Sequence, residues 1–361
     1  MEANFDLLVS GCNTRCRHCY VHGGPGPDMP LEDVLNCIGR LDALASFLPF
    51  HCSFTLDNEP MKHPEPGKII RAAAETGFIR YFHHGMTTGI ALMERKDRAE
   101  VMQAYLDSGY HDFGITLHGN AAHHDEIVRR KGAFEKSLEA AGFMKDCGAK
   151  INVSLMFNRF FEEDADGIMQ ALDRLRPDFV YFTIPNYTPH GAMSAFEPFR
   201  GRSRTLEAFI PRLELWGKEQ RLILDEAEGR TIGAAVRALE NGLELKALFR
   251  RLQEELYLTV HQDCRMFIGN TGAETECLGD LRTIDLRKTA DRLIKQPGNR
   301  DYGAFFDPDA LPEQEILICA LKEYPQDLLY SDTASVIHRG LAALRVPARI
   351  IPVRASSLIY S

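Results

Sequence analysis

Three cysteines open the chain as Cys12-Asn13-Thr14-Arg15-Cys16-Arg17-His18-Cys19-Tyr20. The spacing supplies three thiolates, which favour iron–sulfur clusters, copper(I) or zinc. A structural zinc takes four protein ligands, so the trio would need His18 or His22 to complete a zinc knuckle. A redox thiol pair is the other ordinary reading of close cysteines. A four-iron cluster on three cysteines leaves one iron without a protein ligand, open to a substrate or cofactor. The trio follows an apolar, strand-like segment, Phe5-Asp6-Leu7-Leu8-Val9-Ser10.

The elements that must position this loop alternate between two periods. Strand-like segments fall at 5–10, 52–56, 79–83, 112–117, 151–157 and 179–184. Helical spacing lies between them: after Pro30, around Ile69 and Ile70, at 98–108, 134–147 and 163–174. Six β/α units predict a parallel sheet with right-handed crossovers, too few for a closed eight-stranded barrel. Chemistry gathers at the carboxyl ends of such strands. Those ends carry the cysteine loop, Asp57-Asn58-Glu59-Pro60, Gly85-Met86-Thr87-Thr88-Gly89, His118-Gly119-Asn120, Asn158-Arg159 and Asn186-Tyr187.

These motifs resemble the radical S-adenosylmethionine (radical SAM) superfamily, through the C-x3-C-x2-C run with aromatic Tyr20 and through Asp57-Asn58-Glu59-Pro60. The latter is similar to the Gly-Gly-Glu-Pro motif that receives the methionine amino group of SAM, although Asp57 and Asn58 replace both glycines. The resemblance implies an α/β fold, a partial (β/α)6 TIM-like barrel with a smaller C-terminal α+β extension. It implies a [4Fe–4S] cluster on Cys12, Cys16 and Cys19, with SAM as co-substrate. It places Tyr20, Glu59, Thr88, Thr116, Asn158 and either Arg129 or Arg130, with Arg130 preferred, around SAM. Reductive SAM cleavage would give a 5′-deoxyadenosyl radical that abstracts hydrogen from a peptide or natural-product intermediate. A flavodoxin or ferredoxin would supply the electron. His118, Tyr187 and unassigned cysteines are candidates for an acid, base or hydrogen donor. A non-catalytic metal-binding or regulatory protein on the same scaffold is the competing class.

A second region, Cys264 to Cys277, resembles the start of a SPASM or twitch extension and implies an auxiliary iron–sulfur cluster on those two cysteines, or a degenerate hairpin without metal. Residues 1–200 are expected to form the barrel domain and 201–361 the extension, with 204–258 mostly helical. Cys37, Cys52, Cys147 and Cys319 read as core residues. Adjacent His83 and His84 point to opposite faces of a strand and make a poor metal pair; His123 and His124 are likewise read as structural.

Composition limits the remainder. The chain has 361 residues, nine cysteines and a formal charge of −9. That charge gives no basic field for nucleic acid or anionic membrane. No apolar run approaches a membrane span, and no signal peptide is evident. An odd cysteine count with three clustered argues against a secreted disulfide framework and for the reducing cytoplasm. The chain starts close to its first strand, which predicts no fused N-terminal peptide-recognition domain.

Overall fold

The computed structural model describes residues 2–19, 23–78, 81–84, 86–187, 195–213, 227–245, 255–272, 274–295, 306 and 310–347. Tyr20 and parts of the expected linker and tail lie outside these residues.

Six strands, β1 (Glu2–Leu8), β2 (His51–Asp57), β3 (Tyr81–His84), β4 (Asp112–Leu117), β5 (Lys150–Met156) and β6 (Phe179–Thr183), run parallel within two sheets. Among the described residues a single parallel bridge, Thr87 to Ile115, joins the β3 edge to the β4 edge, and together they make an open, partial barrel. Crossover helices α1 (Leu31–Ala45), α2 (Pro66–Ala74), α3 (Ile90–Met93), α4 (Arg98–Asp107), α5 (Ala121–Val128), α6 (Ala133–Asp146) and α7 (Ala165–Leu175) connect the strands.

Strand periodicity decides what faces each side. Phe5, Leu7, Phe54 and Leu56 pack with Val34, Ile38 and Leu41 of α1; Ile115, Leu117, Val153 and Leu155 pack with Leu138, Met144 and Ile168 of α6 and α7. The alternate residues, among them Asp6, Thr55, Asp57, Thr116, Ser154 and Thr183, therefore face the barrel interior. An apolar outside and a polar inside suit a barrel that houses a polar ligand.

The second half departs from the helical expectation in one place. Leu256, Leu258 and Val260 join the core on one face of β7 (Glu255–Val260), which pairs parallel to the free edge of β1. A hairpin of β8 (Arg265–Ile268) and β9 (Glu276–Asp280) continues that sheet antiparallel. Long-range pairing, not local propensity, makes this segment a strand. Helices α8 (Ser203–Phe209), α9 (Ile232–Glu240), α10 (Leu286–Lys295), α11 (Gln314–Lys322) and α12 (Thr333–Ala343) follow in chain order, and α9, α11 and α12 share a separate apolar cluster. Cys319 is exposed, contrary to its expected burial, because α11 turns Leu317 and Leu321 into that cluster. No described helix is long and apolar enough to cross a membrane.

One glycine fixes the path from β1 into the cysteine loop. A Cβ at Gly11 would lie 2.4 Å from the backbone nitrogen of Gly26 and 2.6 Å from the carbonyl oxygen of Gly24. Backbone cannot yield as a flexible side chain can. Gly11→Ala is expected to destabilise the protein by about 1–3 kcal/mol, measured as a lower denaturant midpoint, and to lower iron uptake on reconstitution. An unchanged midpoint with full iron content would contradict this packing.

Candidate active site

The cysteine loop is tied down mainly by backbone. Cys12 N–H donates to Gly24 O at 2.6 Å, Arg15 N–H to Val128 O at 3.2 Å, and Arg17 N–H to Ile127 O at 2.9 Å. The buried Thr14 hydroxyl sits between two sulfurs, 3.3 Å from Cys12 Sγ and 3.4 Å from Cys16 Sγ, while Gly23 N–H donates to Cys19 Sγ at 2.9 Å. Burial first, then the Glu59 charge, pushes the Cys12 thiol up; burial pushes Cys16 up to about 12. Such thiols keep their protons until a metal compensates the thiolate. Among the described residues, no trio of ligand atoms from this loop lies within 4.8 Å of one another. Sulfurs on one tetrahedral zinc stand only about 3.8 Å apart, so the spread suits a multi-iron cluster better. His18, one candidate fourth zinc ligand, is instead stacked on His118, with ring centroids 4.6 Å apart and planes at 12°.

At the end of β2, the residue expected to receive the amino group of SAM is engaged by the chain itself. Glu59 is 1% exposed, and its carboxylate accepts the Thr87 hydroxyl at 2.9 and 2.8 Å, the Thr88 hydroxyl at 3.3 Å and the Thr88 N–H at 3.2 Å. Burial pushes its carboxyl up, and these hydrogen bonds oppose that shift. Glu59 is therefore a clamp behind the wall. Asn58 stands in the left-handed region (φ 64°), where a non-glycine residue is uncommon and asparagine is tolerated. Its Oδ1 is buried without a hydrogen-bond partner. A buried acceptor without a partner among the described residues is open to a hydrogen bond from water or a ligand.

These groups border a cavity of about 530 Å³. Cys12, Cys16, Cys19, Asp57, Asn58, Thr87, Thr88, Thr116 and Ser137 line it from the barrel side; Asn186, Tyr187 and, from α12, Ser335 and His338 line it from the other. No lysine or arginine lines it among the described residues. Ser137 Oγ donates to Thr88 O at 2.7 Å and so orients the turn that carries Thr88.

Two expected SAM contacts are committed elsewhere. Arg130 donates from Nη1 to Asn13 O at 2.9 Å and pairs with Glu94, so it braces the cysteine loop from outside. Arg129 caps α5 with φ 58°. Asn158, fully buried, donates to His118 O at 2.7 Å and Met156 O at 3.1 Å and accepts from Phe160 N–H at 3.0 Å. Neither Arg130 nor Asn158 lines the cavity.

Cys264 and Cys277 are not brought together. Cys264 is buried beside Cys37 in the core behind β1 and β7. Its carbonyl accepts Leu281 N–H at 2.8 Å, whereas exposed Cys277 lies opposite Phe267. Three residues of ladder separate them, roughly 10 Å. The expected auxiliary ligand pair is thus absent as a cluster site among the described residues.

Sequence reasoning passed over Thr14, Ser137 and the α12 residues, and read His124 as structural although it lines the cavity. Thr14 stood in plain view between two cysteines. The α12 wall depends on docking of a distant helix and leaves no local signal.

Residues 7–172 match the sequence profile described as the radical SAM superfamily. No curated protein matches the sequence. Among solved structures, native anSMEcpe with bound AdoMet and Cp18Cys peptide is similar at a TM-score of 0.55 and 12% identity, covering 94% of this chain and 95% of that one. Streptococcus suis SuiB bound to precursor peptide SuiA is similar at a TM-score of 0.54 and 12% identity, covering 92% and 75%. At these identities the likeness is one of fold.

Three cavity-lining imidazoles, His18, His118 and His124, form a contact chain, with His118 Nδ1 3.5 Å from His124 Nδ1. Burial lowers all three, His18 and His124 to about 4. A histidine lowered on folding is neutral in the native state and charged in the unfolded chain below about pH 6.5. Stability is therefore complete above that pH and is lost as pH falls towards 4, by up to about 3 kcal/mol for His124. Urea unfolding of the metal-free protein should show that slope, and His124→Gln should flatten it. A variant with the full wild-type slope would show that His124 is not the titrating group.

Proposed function

The chain belongs to the radical SAM superfamily of enzymes, and from that premise we propose that it cleaves SAM reductively and directs hydrogen abstraction to a peptide. The observation that carries this reading is the convergence of three partly buried cysteines and the unpaired Asn58 Oδ1 on one cavity that no lysine or arginine lines among the described residues. When bound, a four-iron cluster on Cys12, Cys16 and Cys19 supplies the electron that converts SAM into methionine and a hydrogen-abstracting radical.

The chain's own residues bind and exclude. Asn58 Oδ1 accepts an N–H of the methionine amino group, with Glu59 holding that turn in place. Thr88 and Thr116 offer hydroxyls along the same wall. Val128, Ala133, Met156 and Ile184 line the cavity with apolar surface that keeps water from a reactive centre. His118 and Tyr187 border the cavity on the side left for the substrate. The reading in favour of a peptide draws on anSMEcpe with bound Cp18Cys peptide and on SuiB with precursor peptide SuiA, each similar to this chain over more than nine-tenths of its length. A small natural-product intermediate is the narrower second reading. The electron donor is a small redox protein of the flavodoxin or ferredoxin type, and the enzyme works in the cytoplasm.

Anaerobic reconstitution should give about four irons and four sulfides per chain. Reduced enzyme with SAM should release 5′-deoxyadenosine, and Cys16→Ala should abolish both results. Cys277→Ser should leave the iron count unchanged, since Cys277 lies apart from Cys264. Zinc in place of iron, or intact SAM after reduction of a loaded cluster, would favour the non-catalytic metal-binding reading.

A further inference from the structure

The cysteine loop has a second face, outside the cavity, and it is cationic. Arg15 N–H and Arg17 N–H fasten the loop along the last turn of α5, to Val128 O and Ile127 O. Neighbours on these two segments meet different surroundings. His18 and Val128 line the cavity; Arg17 is half-buried and Arg129 exposed, and neither lines it. Exposed Lys131 follows two residues on. Exposed Arg159 joins the group through an aromatic ring. Arg17 Cζ lies 4.9 Å and Arg159 Cζ 5.4 Å from the centroid of the Phe199 ring, and Arg159 Cζ lies 4.7 Å from that of Phe160. Arg17 Nε also donates to Glu126 O at 3.3 Å. A guanidinium held over a ring keeps its charge while its position is fixed.

Among the described residues no carboxylate pairs with Arg17, Arg129, Lys131 or Arg159, whereas neighbouring Arg130 and Lys136 share Glu94. The other acids nearby are largely committed. Asp125 accepts the N–H groups of Gly132 and Phe134, buried Asp164 holds Asn120 and His123, and Glu163 stands beside His123. Exposed Glu126 and Glu162 remain and offset part of the charge. The formal charge of the whole chain is −9. A positive face on such a chain is a matter of position, and it favours an acidic partner. Its position is specific: Arg17 adjoins Cys16, one of the three cysteines that border the cavity.

We propose that this face is the docking surface of the electron carrier, a small acidic redox protein whose carboxylates meet Arg17, Arg129, Lys131 and Arg159. The proposal rests on the cysteine loop holding the cluster of the proposed function. Complementary charge selects such a partner, orients it and speeds the encounter. Electron transfer falls steeply with distance, and here a partner reaches the cysteine loop from outside the cavity. One electron leaves the carrier, which is oxidised, and enters the bound cluster, which is reduced; no bond forms or breaks. A substrate peptide is the poorer occupant, because its reacting residue must enter the cavity, and none of the four cations lines it.

The test measures binding of an oxidised flavodoxin and an oxidised ferredoxin to the anaerobic holoenzyme by calorimetry. It then follows 5′-deoxyadenosine with each carrier reduced and with dithionite. Lys131→Glu combined with Arg159→Glu should weaken a carrier about 10- to 100-fold and slow the SAM cleavage it drives, while dithionite-driven cleavage stays at the wild-type rate. Raising salt from about 50 to about 300 mM should weaken wild-type binding several-fold and the double variant less. Lys131→Gln combined with Arg159→Gln should show the same loss in smaller measure and keeps the test decisive if the charge reversal does not fold. Lys288→Glu, at an exposed lysine of α10, should change nothing; an equal loss there overturns the docking face. Carriers bound alike by wild type and double variant, or bound by neither, also overturn it. So does a double variant that keeps both carriers and loses a glutamate-rich peptide, since the face then serves a peptide. If dithionite drives SAM cleavage and the carriers ignore the charge reversal, the docking face fails and the proposed function stands. If dithionite on a loaded cluster cleaves no SAM while carrier binding still depends on these charges, the reverse holds.

Discussion

Among the described residues the two halves of the barrel meet at one bridge, and the buried Glu59 carboxylate secures it. Thr87 N–H donates to Gly114 O at 3.0 Å, and beyond that contact the described residues of the β3 and β4 edges share no strand ladder. Glu59, arriving from the end of β2, accepts hydrogen bonds from Thr87 and Thr88 at this seam. Bonds to an ionised acceptor are stronger than neutral ones, and a buried carboxylate lacking them would be costly. From the opposite side the turn is held by close packing: Gly89 has φ 69°, and a Cβ there would come within 2.3 Å of Ala140 Cβ. Asn58 and Thr88 stand at fixed places on the cavity wall because Glu59 is occupied.

The same economy of charge runs through the site. The arginines near the cavity are spent on the frame. Arg130 braces the cysteine loop through Asn13 O. Arg200, 3% exposed, donates to Pro185 O, Leu329 O and Asn186 O, and pairs with Glu197, so it ties the loop following β6 to the segment before α12. That tie sets Asn186 and Tyr187 against the face of α12 that carries Ser335 and His338. The wall opposite the cysteines is thus held by a buried cation whose hydrogen bonds go to carbonyls and to Glu197, and whose charge also helps keep the cavity-lining His18 neutral.

Much of this was legible in the chain, and the division has a physical basis. The cysteine spacing, the six β/α units and the polar strand ends are local features, and the fold realises them. Glu59 was the expected amine acceptor because sequence shows a carboxylate at the motif position. It does not show that two threonines of the next strand end would occupy it and leave the neighbouring asparagine open. Arg130 and Asn158 were sought at the ligand for the right chemistry, yet partners far away in sequence, Asn13 and His118 among them, claim their hydrogen bonds. Cys264 shows the same limit: its neighbour in space is Cys37 of α1, not Cys277 of its own hairpin. β7 reads as the tail of a helical stretch until the open edge of β1 offers it a ladder.

A cavity lined by thiols, hydroxyls, imidazoles and the carboxylates of Asp57 and Asp332, without a fixed cation on its described walls, selects ligands by sign. An anionic ligand would face Asp57 and the cysteine loop without a compensating group, and desolvation would deepen the penalty. A cationic ligand would meet acceptors on every side. Keeping His18, His118 and His124 neutral serves the same end, because a protonated imidazole in that wall would repel the cation it faces. Their low protonation range follows from burial first, and for His118 also from its two histidine neighbours. The packing that keeps water out of the site therefore also keeps its histidines uncharged, so exclusion of solvent and preference for a positive ligand arise from one arrangement of side chains.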